Sequence, residues 1–254
     1  MRWRNGCFGQ RAMGDLDQLV ELSGDRRLIP GIYNYCFRRC HQCQFTDRCL
    51  SFKLDPQSNG AKATERTAPR DDFRITLRLL EDWCSHEGVS PAPLHAAFNE
   101  PAFIEETKRI DDHVQTLPLM KAAEQALATN LRLLRALRHA ARFETWTLAV
   151  LEALDTLEAL VPVAASKISR ALHGQVEGRL DGEPECRQAD WNGSAKVAIL
   201  ALRECVAAWN VLFSAGDAPE DSRVRAAAQS LQELELQVND TFPLARYFVR
   251  PGFD

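Results

Sequence analysis

The sequence predicts a mainly α fold, an antiparallel helical bundle of four or five long helices with an N-terminal cysteine-rich metal-binding loop. From Asp71 onward, alanine and leucine dominate and apolar residues recur at a helical period. No run alternates β-branched and polar residues as a half-buried strand would. Apolar residues make up 45% of the 254 residues, so a core can form without a metal ion to hold the fold together.

The N-terminal part is predicted to contain one short helix and a loop. The helix covers residues 14–24, where Gly24 ends it, and the turn pair Pro30-Gly31 opens a loop that extends to residue 53. Residues 55–70 are polar and contain Pro, Gly, Ser and Asn, which predicts a linker. We therefore expect three regions, namely residues 1–54, the linker 55–70, and a helical bundle over 71–254 with the C-terminal tail packed on it.

The bundle is predicted to contain five helical segments, over residues 71–88, 100–141, 143–172, 194–213 and 220–240. Pro118 interrupts the second segment. The third ends at His173-Gly174, and Pro162 inside it predicts a kink or a break. A Gly-rich loop over residues 174–193 separates the third segment from the fourth.

Four of the eight cysteines lie close together in the predicted loop, in the order C-x3-C-x2-C-x5-C: Cys36, Cys40, Cys43 and Cys49. Thiolates at such short spacing can converge on one metal centre. Zinc sites usually pair two short knuckles separated by a dozen or more residues, whereas one continuous loop suits a cube-shaped cluster. We therefore predict a [4Fe–4S] cluster on these four thiols, with zinc as the alternative cofactor. Nearby arginines would tune the cluster potential through their charge, namely Arg38, Arg39 and Arg48.

The cofactor determines the predicted function. A [4Fe–4S] cluster predicts a redox protein that acts in electron transfer, or as a redox enzyme or enzyme subunit, with a redox partner protein. A zinc ion instead predicts an interaction module without catalysis, whose loop would present Phe37, Phe45 and Phe52 to a partner. The sequence contains no Gly-rich phosphate loop, G-x-S-x-G elbow or H-E-x-x-H motif, and it leaves open whether the protein is an enzyme.

Parts of the cysteine loop resemble known families. CHQCQFTDRC, which contains Cys40, Cys43 and Cys49, resembles the end of the iron–sulfur loop of endonuclease III-type DNA glycosylases. That family spaces its first two cysteines by six residues where this chain has three, and this chain lacks the helix–hairpin–helix with its catalytic Lys and Asp. The resemblance therefore implies the cluster and not glycosylase activity. IPGIYNYC and FTDRC, with the ending VRPGFD, also resemble a family of uncharacterised bacterial cysteine-rich iron–sulfur helical proteins, which implies no activity.

The other half of the cysteine loop resembles a third family. Cys36, Cys40 and Cys43 match the spacing of radical-SAM enzymes, in which three cysteines leave one iron open for S-adenosylmethionine. The resemblance implies a radical-SAM-like enzyme as a second alternative. Cys49 would close the open position, and the chain lacks the alternating strands and helices of the radical-SAM barrel.

Two lysines in apolar segments indicate a second site in the bundle. Lys167 occurs in VPVAASKISRAL, and Lys196 lies in the first turn of a predicted helix, where the macrodipole disfavours a cation. Each lysine is therefore expected to have a carboxylate or anionic partner. The predicted pocket for a small anionic molecule contains Lys167, Lys196, Arg203, Glu204, Asp155 and Glu158. The alternative is snorkelling lysines and surface ion pairs.

Charge is unevenly distributed along the chain. Residues 1–70 carry 12 Lys+Arg and 7 Asp+Glu, a balance of +5, whereas residues 71–254 carry 19 and 28, a balance of −9. An acidic body with a pI near 5.9 makes nucleic acid an unlikely partner. No apolar segment follows the N-terminus as in a secretory signal, and no uninterrupted apolar run reaches the ~18 to 20 residues of a membrane span. We therefore expect no membrane partner and a cytoplasmic location, where a reducing environment keeps the thiols available.

Overall fold

The computed structural model describes residues 22, 24–54, 80–81, 83–85, 87–93, 96, 99–140, 146–214 and 222–254. Within these residues the fold is mainly helical and contains no strand, which confirms the predicted fold class. The helices with described bounds are α1 (Leu50–Leu54), α2 (Pro101–Thr116), α3 (Pro118–Ala140), α4 (Leu148–Leu180), α5 (Asp190–Ser214) and α6 (Ser222–Thr241). The predicted linker lies outside the described residues, as does the predicted N-terminal helix apart from Leu22 and Gly24.

Contacts divide the chain into two units. The first unit contains the described residues up to Tyr33 and those between Cys40 and Glu106. The second unit contains Asn34–Arg39 and everything from Thr107 to Asp254. Cys36 therefore belongs to the unit that contains the bundle, and the other three clustered cysteines belong to the first unit.

The core of the second unit lies between α3, α4, α5 and α6. α5 packs against α4 and α6, and α3 packs against the same two helices. Leu154, Leu157 and Leu160 on α4 are completely buried, because they recur at the spacing that places side chains on one helix face. Burying each such side chain stabilises the fold by about 1.5–3 kcal/mol.

One polar network lies inside this core. Asn130 on α3 is completely buried, and its amide group accepts a hydrogen bond from Trp209 Nε1 at 2.8 Å. Its Nδ2 donates to the Ala126 carbonyl at 2.8 Å and approaches Ser230 Oγ at 3.4 Å. The network satisfies the indole N–H of a buried tryptophan and connects three helices, which fixes their mutual register.

Several predicted helix boundaries are confirmed. Pro118 begins α3, where its missing N–H costs nothing and its fixed φ suits a first turn. Gly88 (φ +67°) ends the helical segment before it. The Val89 N–H donates to the Cys84 carbonyl and the Gly88 N–H donates to the Ser85 carbonyl, the two hydrogen bonds typical of a glycine helix cap. The start predicted at residue 143 is wrong, because α4 begins at Leu148, where Thr147 caps it by accepting a hydrogen bond from the Val150 N–H.

The predicted end of the third segment at His173-Gly174 is wrong. α4 continues to Leu180 and passes through Pro162 without a break. Gly182 (φ +69°) lies just beyond its end, where the Glu183 N–H donates to the Gly178 carbonyl at 2.8 Å. Glycines inside α4 serve packing instead, because a Cβ on Gly178 would lie 2.6 Å from the Trp191 ring. Because glycine has no side chain, the Trp191 ring can lie directly on the helix backbone at Gly178.

Among the long helices that the structure describes, α5 is the most apolar. By length and composition it could cross a membrane, with a mean hydropathy of 1.5 over its best window, and half of that window is buried inside the fold. A buried core helix has the same properties. Its sequence is not an uninterrupted apolar run, because Lys196, Arg203 and Glu204 lie within it.

Candidate metal centre

Three of the four clustered cysteines lie at the ends of tight turns in the first unit. The turns are Cys40–Gln42 and Thr46–Arg48, and α1 follows directly. The Cys43 N–H donates to the Cys40 carbonyl at 3.1 Å, which closes the first turn. The Ile29 N–H donates to the Arg48 carbonyl at 2.9 Å, which ties the segment before the cysteines to the segment that ends at Cys49. The positions of these cysteines are therefore set by local backbone hydrogen bonds.

Two of the thiol groups accept a backbone hydrogen bond from the residue two positions further along. Arg38 N–H donates to Cys36 Sγ, and Phe45 N–H donates to Cys43 Sγ, each at 3.4 Å. Arg38 adopts φ 53°, a left-handed conformation that costs energy for a residue with a side chain. Each N–H group lies beside the sulfur atom of a predicted ligand.

The four clustered thiols differ in their exposure to solvent. Cys40 is exposed, and Cys36, Cys43 and Cys49 are half-buried. In the part of the chain that the structure describes, no three or more Cys, His, Asp or Glu side chains form a group that could hold a metal ion. The prediction of a ligand set consequently rests on the spacing of the cysteines and on the local hydrogen bonds to their sulfur atoms.

The segment around Cys36 is anchored to α4 and α5. Lys167 Nζ on α4 donates to the Asn34 carbonyl at 2.5 Å. Tyr35 Oη donates to Asp190 Oδ1 at 2.7 Å, and Arg170 pairs with the same carboxylate at 3.0 Å. Phe37 packs against the hydrophobic core of the bundle. Residues on both sides of Cys36 thus contact the bundle, which fixes the backbone that carries its thiol.

The C-terminal segment also holds the Cys36 segment in place. The rings of Tyr35 and Phe248 lie 4.7 Å apart between centroids. Both rings lie against Gly193 on α5, where a Cβ would come within 2.4 Å of Tyr35 and 2.6 Å of Phe248. Lys196 holds this segment by donating to the Phe248 carbonyl at 2.5 Å and to Asp254 Oδ2 at 2.6 Å. The predicted loop up to residue 193 is therefore wrong at its end, because Gly193 lies inside the first turns of α5.

The side chains that hold the Cys36 segment also determine the electrostatics near Cys36. Burial raises the pKa of Tyr35 above its ordinary value, and the hydrogen bond to the negatively charged Asp190 raises it further. Burial lowers the pKa of Lys167, and the positive charges of Arg170 and Arg38 lower it further. The thiolate of Cys36 and the carboxylate of Asp190 act in the opposite direction, so Lys167 and Cys36 lie within electrostatic reach of each other.

Five of the six residues of the predicted anionic pocket have a polar partner in the protein. Lys196 has the carboxylate partner expected for it, whereas Lys167 binds a carbonyl group. Arg203 Nε contacts Glu235 Oε1 at 2.7 Å. Arg138 pairs with Asp155 and with Glu158. Glu204 is exposed to solvent. The two lysines bind different segments of main chain, and a shared pocket for a small anion stays a prediction.

The other cysteines have separate environments. Cys84 and Cys205 are buried, Cys186 is exposed, and Cys7 lies outside the described residues. Burial raises the pKa of the Cys205 thiol to about 12, so this thiol is protonated at neutral pH.

Comparison with family models, with curated proteins and with solved structures finds no match for this chain. Its function must therefore be inferred from its own residues. The sequence predicts the four clustered cysteines as ligands, but it does not single out Tyr35, Asp190 and Phe248, which hold the Cys36 segment. A signal for the two aromatic residues was present in Gly193, a glycine in an apolar helix of a chain whose C-terminal tail is rich in aromatic residues.

Proposed function

We propose that Cys36, Cys40, Cys43 and Cys49 bind a [4Fe–4S] cluster and that the protein acts in electron transfer, alone or as a redox enzyme subunit. The observation that supports this most directly is the pair of N–H groups directed at Cys36 Sγ and Cys43 Sγ at 3.4 Å. Hydrogen bonds to ligand sulfurs are among the features that set the potential of protein-bound clusters. The proposed setting is the cytoplasm, with a redox partner protein.

The chemistry of the donor set fits this cofactor. A [4Fe–4S] cluster takes one thiolate per iron, and the loop supplies four thiols within one short stretch. The thiolates bring negative charge, which the neighbouring Arg38, Arg39 and Arg48 offset. When bound, the cluster would accept and return single electrons, and the protein would hold it and set its potential.

Metal analysis of protein purified without oxygen tests the proposal. We expect about four irons and four sulfides per chain, with broad absorbance in the visible range. Cys49→Ala should lose most of the iron, because one iron then lacks its thiolate. Cys186→Ala is the matched control, since it removes an exposed thiol outside the cluster motif and should keep the full iron content.

Three other results of the metal analysis would contradict the proposed [4Fe–4S] redox function. One zinc per chain in colourless protein would contradict the redox function and support an interaction module. Full iron content in Cys49→Ala, together with cleavage of S-adenosylmethionine by the wild type, would support a radical-SAM-like enzyme instead. Protein with neither iron nor zinc under these conditions would contradict metal binding by the cysteine loop.

A further inference from the structure

Lys167 is joined to the main chain two residues before a proposed cluster ligand. It lies in the middle of α4, is half-buried, and donates from Nζ to the Asn34 carbonyl at 2.5 Å. Asn34 is followed by Tyr35, which is fixed by Asp190 and Phe248, and then by Cys36. A hydrogen bond at Asn34 therefore restrains the backbone that leads to the Cys36 thiol.

Within the described residues, no carboxylate forms an ion pair with the Lys167 ammonium group. The nearby carboxylate, Asp190, is engaged by Arg170 and by Tyr35. Among the described side chains, Lys167 forms its hydrogen bond with a neutral carbonyl group, and Arg170 and Arg38 add positive charge nearby. Burying an ammonium group costs free energy unless it has polar or anionic partners. The half-buried position of Lys167 on a core helix therefore suggests that its ammonium group has a role.

We infer that Lys167 is a positioning residue for the proposed cluster, which holds the Cys36 segment on α4 and places a fixed positive charge beside the Cys36 ligand. This inference rests on the proposed function. One-electron reduction adds a negative charge to the cluster, and a nearby positive charge stabilises the reduced form. Lys167 therefore raises the reduction potential of the cluster.

Two measurements separate the positioning role from the charge role. Lys167→Met removes the hydrogen-bond donor and the charge, Lys167→Arg keeps both, and Lys167→Gln keeps an N–H donor without the charge. The matched control is Lys121→Met, which changes an exposed lysine on α3. Hydrogen exchange of the amides of residues 34–39 reports on positioning and needs no metal. A redox titration of the iron-loaded protein reports on the charge.

For the positioning role, we expect Lys167→Met to speed amide exchange in residues 34–39 by roughly fivefold, the factor that the net loss of one hydrogen bond implies. The Arg38 amide, which donates to Cys36 Sγ, is the key reporter. Lys167→Arg and Lys121→Met should exchange like the wild type. Unchanged exchange in folded Lys167→Met would overturn the positioning role, and this result would hold whether or not the wild type contains iron.

For the charge role, we expect a lower midpoint potential in Lys167→Met and in Lys167→Gln, and a potential near the wild-type value in Lys167→Arg and Lys121→Met. If Lys167→Met does not fold, Lys167→Gln still decides the point. An unchanged potential in an iron-loaded variant without the charge would overturn this role. Absence of iron from the wild type would instead contradict the proposed function, and the exchange experiment would still test the contact between Lys167 and Asn34.

Discussion

Two glycines on α4 face the same tryptophan and should respond in opposite ways to the same substitution. A Cβ on Gly178 would lie 2.6 Å from Trp191 Cζ3 and 2.8 Å from Trp191 Cη2. A Cβ on Gly174 would lie 3.4 Å from Trp191 Cβ, close to an ordinary van der Waals contact. Trp191 is only 6% exposed, so its ring cannot move away without disturbing its neighbours. We therefore predict that Gly178→Ala destabilises the protein and that Gly174→Ala stabilises it.

The expected magnitudes follow from two opposing effects. Alanine in place of glycine inside a helix stabilises by about 0.5–1 kcal/mol, and both positions receive this gain. Overpacking a tight core typically costs about 1–3 kcal/mol, and only Gly178→Ala incurs it. Gly174→Ala should therefore gain about 0.5–1 kcal/mol, and Gly178→Ala should lose up to about 2.5 kcal/mol. The difference between the two variants measures the steric cost alone, since the helix propensities cancel.

Urea unfolding followed by far-ultraviolet circular dichroism measures this difference. The two variants should differ in transition midpoint while keeping the slope of the wild type, because the surface exposed on unfolding is unchanged. If both variants stabilise the protein by the same amount, the Trp191 ring does not lie against Gly178 and the explanation for the continuity of α4 fails. A change in slope in Gly178→Ala would show that α4 no longer packs in the same way.

Two further predictions concern polar contacts of the second unit. Asn130→Ala should destabilise the protein by about 1–3 kcal/mol, because it leaves the buried indole N–H of Trp209 without its acceptor. In a Trp209→Phe background the same substitution should cost clearly less stability. Equal costs in the two backgrounds of this double-mutant cycle would refute the coupling between Asn130 and Trp209. Burial alone would raise the pKa of Asp254, but hydrogen bonds from Arg250 and Lys196 hold it well below its ordinary value of 3.8. A depressed carboxyl pKa stabilises the folded protein above the unfolded pKa, and this stabilisation is lost as the pH falls below about 3.8. The unfolding free energies of wild type and Asp254→Asn should therefore differ at neutral pH and converge in acid, and a difference independent of pH would contradict this account.

The sequence was sufficient to predict features that depend on neighbouring residues. The helical period, the interruption at Pro118 and the end at Gly88 are local properties of the chain, and the structure confirms them. The helix end predicted at Gly174 failed because glycine has two uses. It can end a helix by adopting a positive φ, as Gly182 does, or it can make room for a bulky neighbour, as Gly178 does. The second use depends on Trp191, whose position the local sequence does not reveal.

The candidate site divides in the same way. The spacing of the cysteines predicts their chemistry, because thiolates close in sequence need no fold to bring them near one another. The anchor of Cys36 could not be predicted, since Tyr35 and Asp190 are 155 positions apart and Lys167 lies 133 positions from Asn34. Periodicity and motifs report on neighbours along the chain, whereas these contacts exist only after the bundle has folded.

Cys36 and Cys43 accept the same type of N–H hydrogen bond, yet their conformations depend on different parts of the molecule. Fixing the backbone of each residue costs about 1–2 kcal/mol, so an ordered loop needs contacts that offset this cost. Around Cys43 the offsetting contacts are short-range, such as the hydrogen bond from its own N–H to the Cys40 carbonyl. Around Cys36 they come from Lys167, from Asp190 and from the aromatic contact with Phe248. The geometry of the Cys36 thiol therefore depends on the folding of the bundle, and any cofactor that binds this thiol is coupled to the stability of α4 and α5.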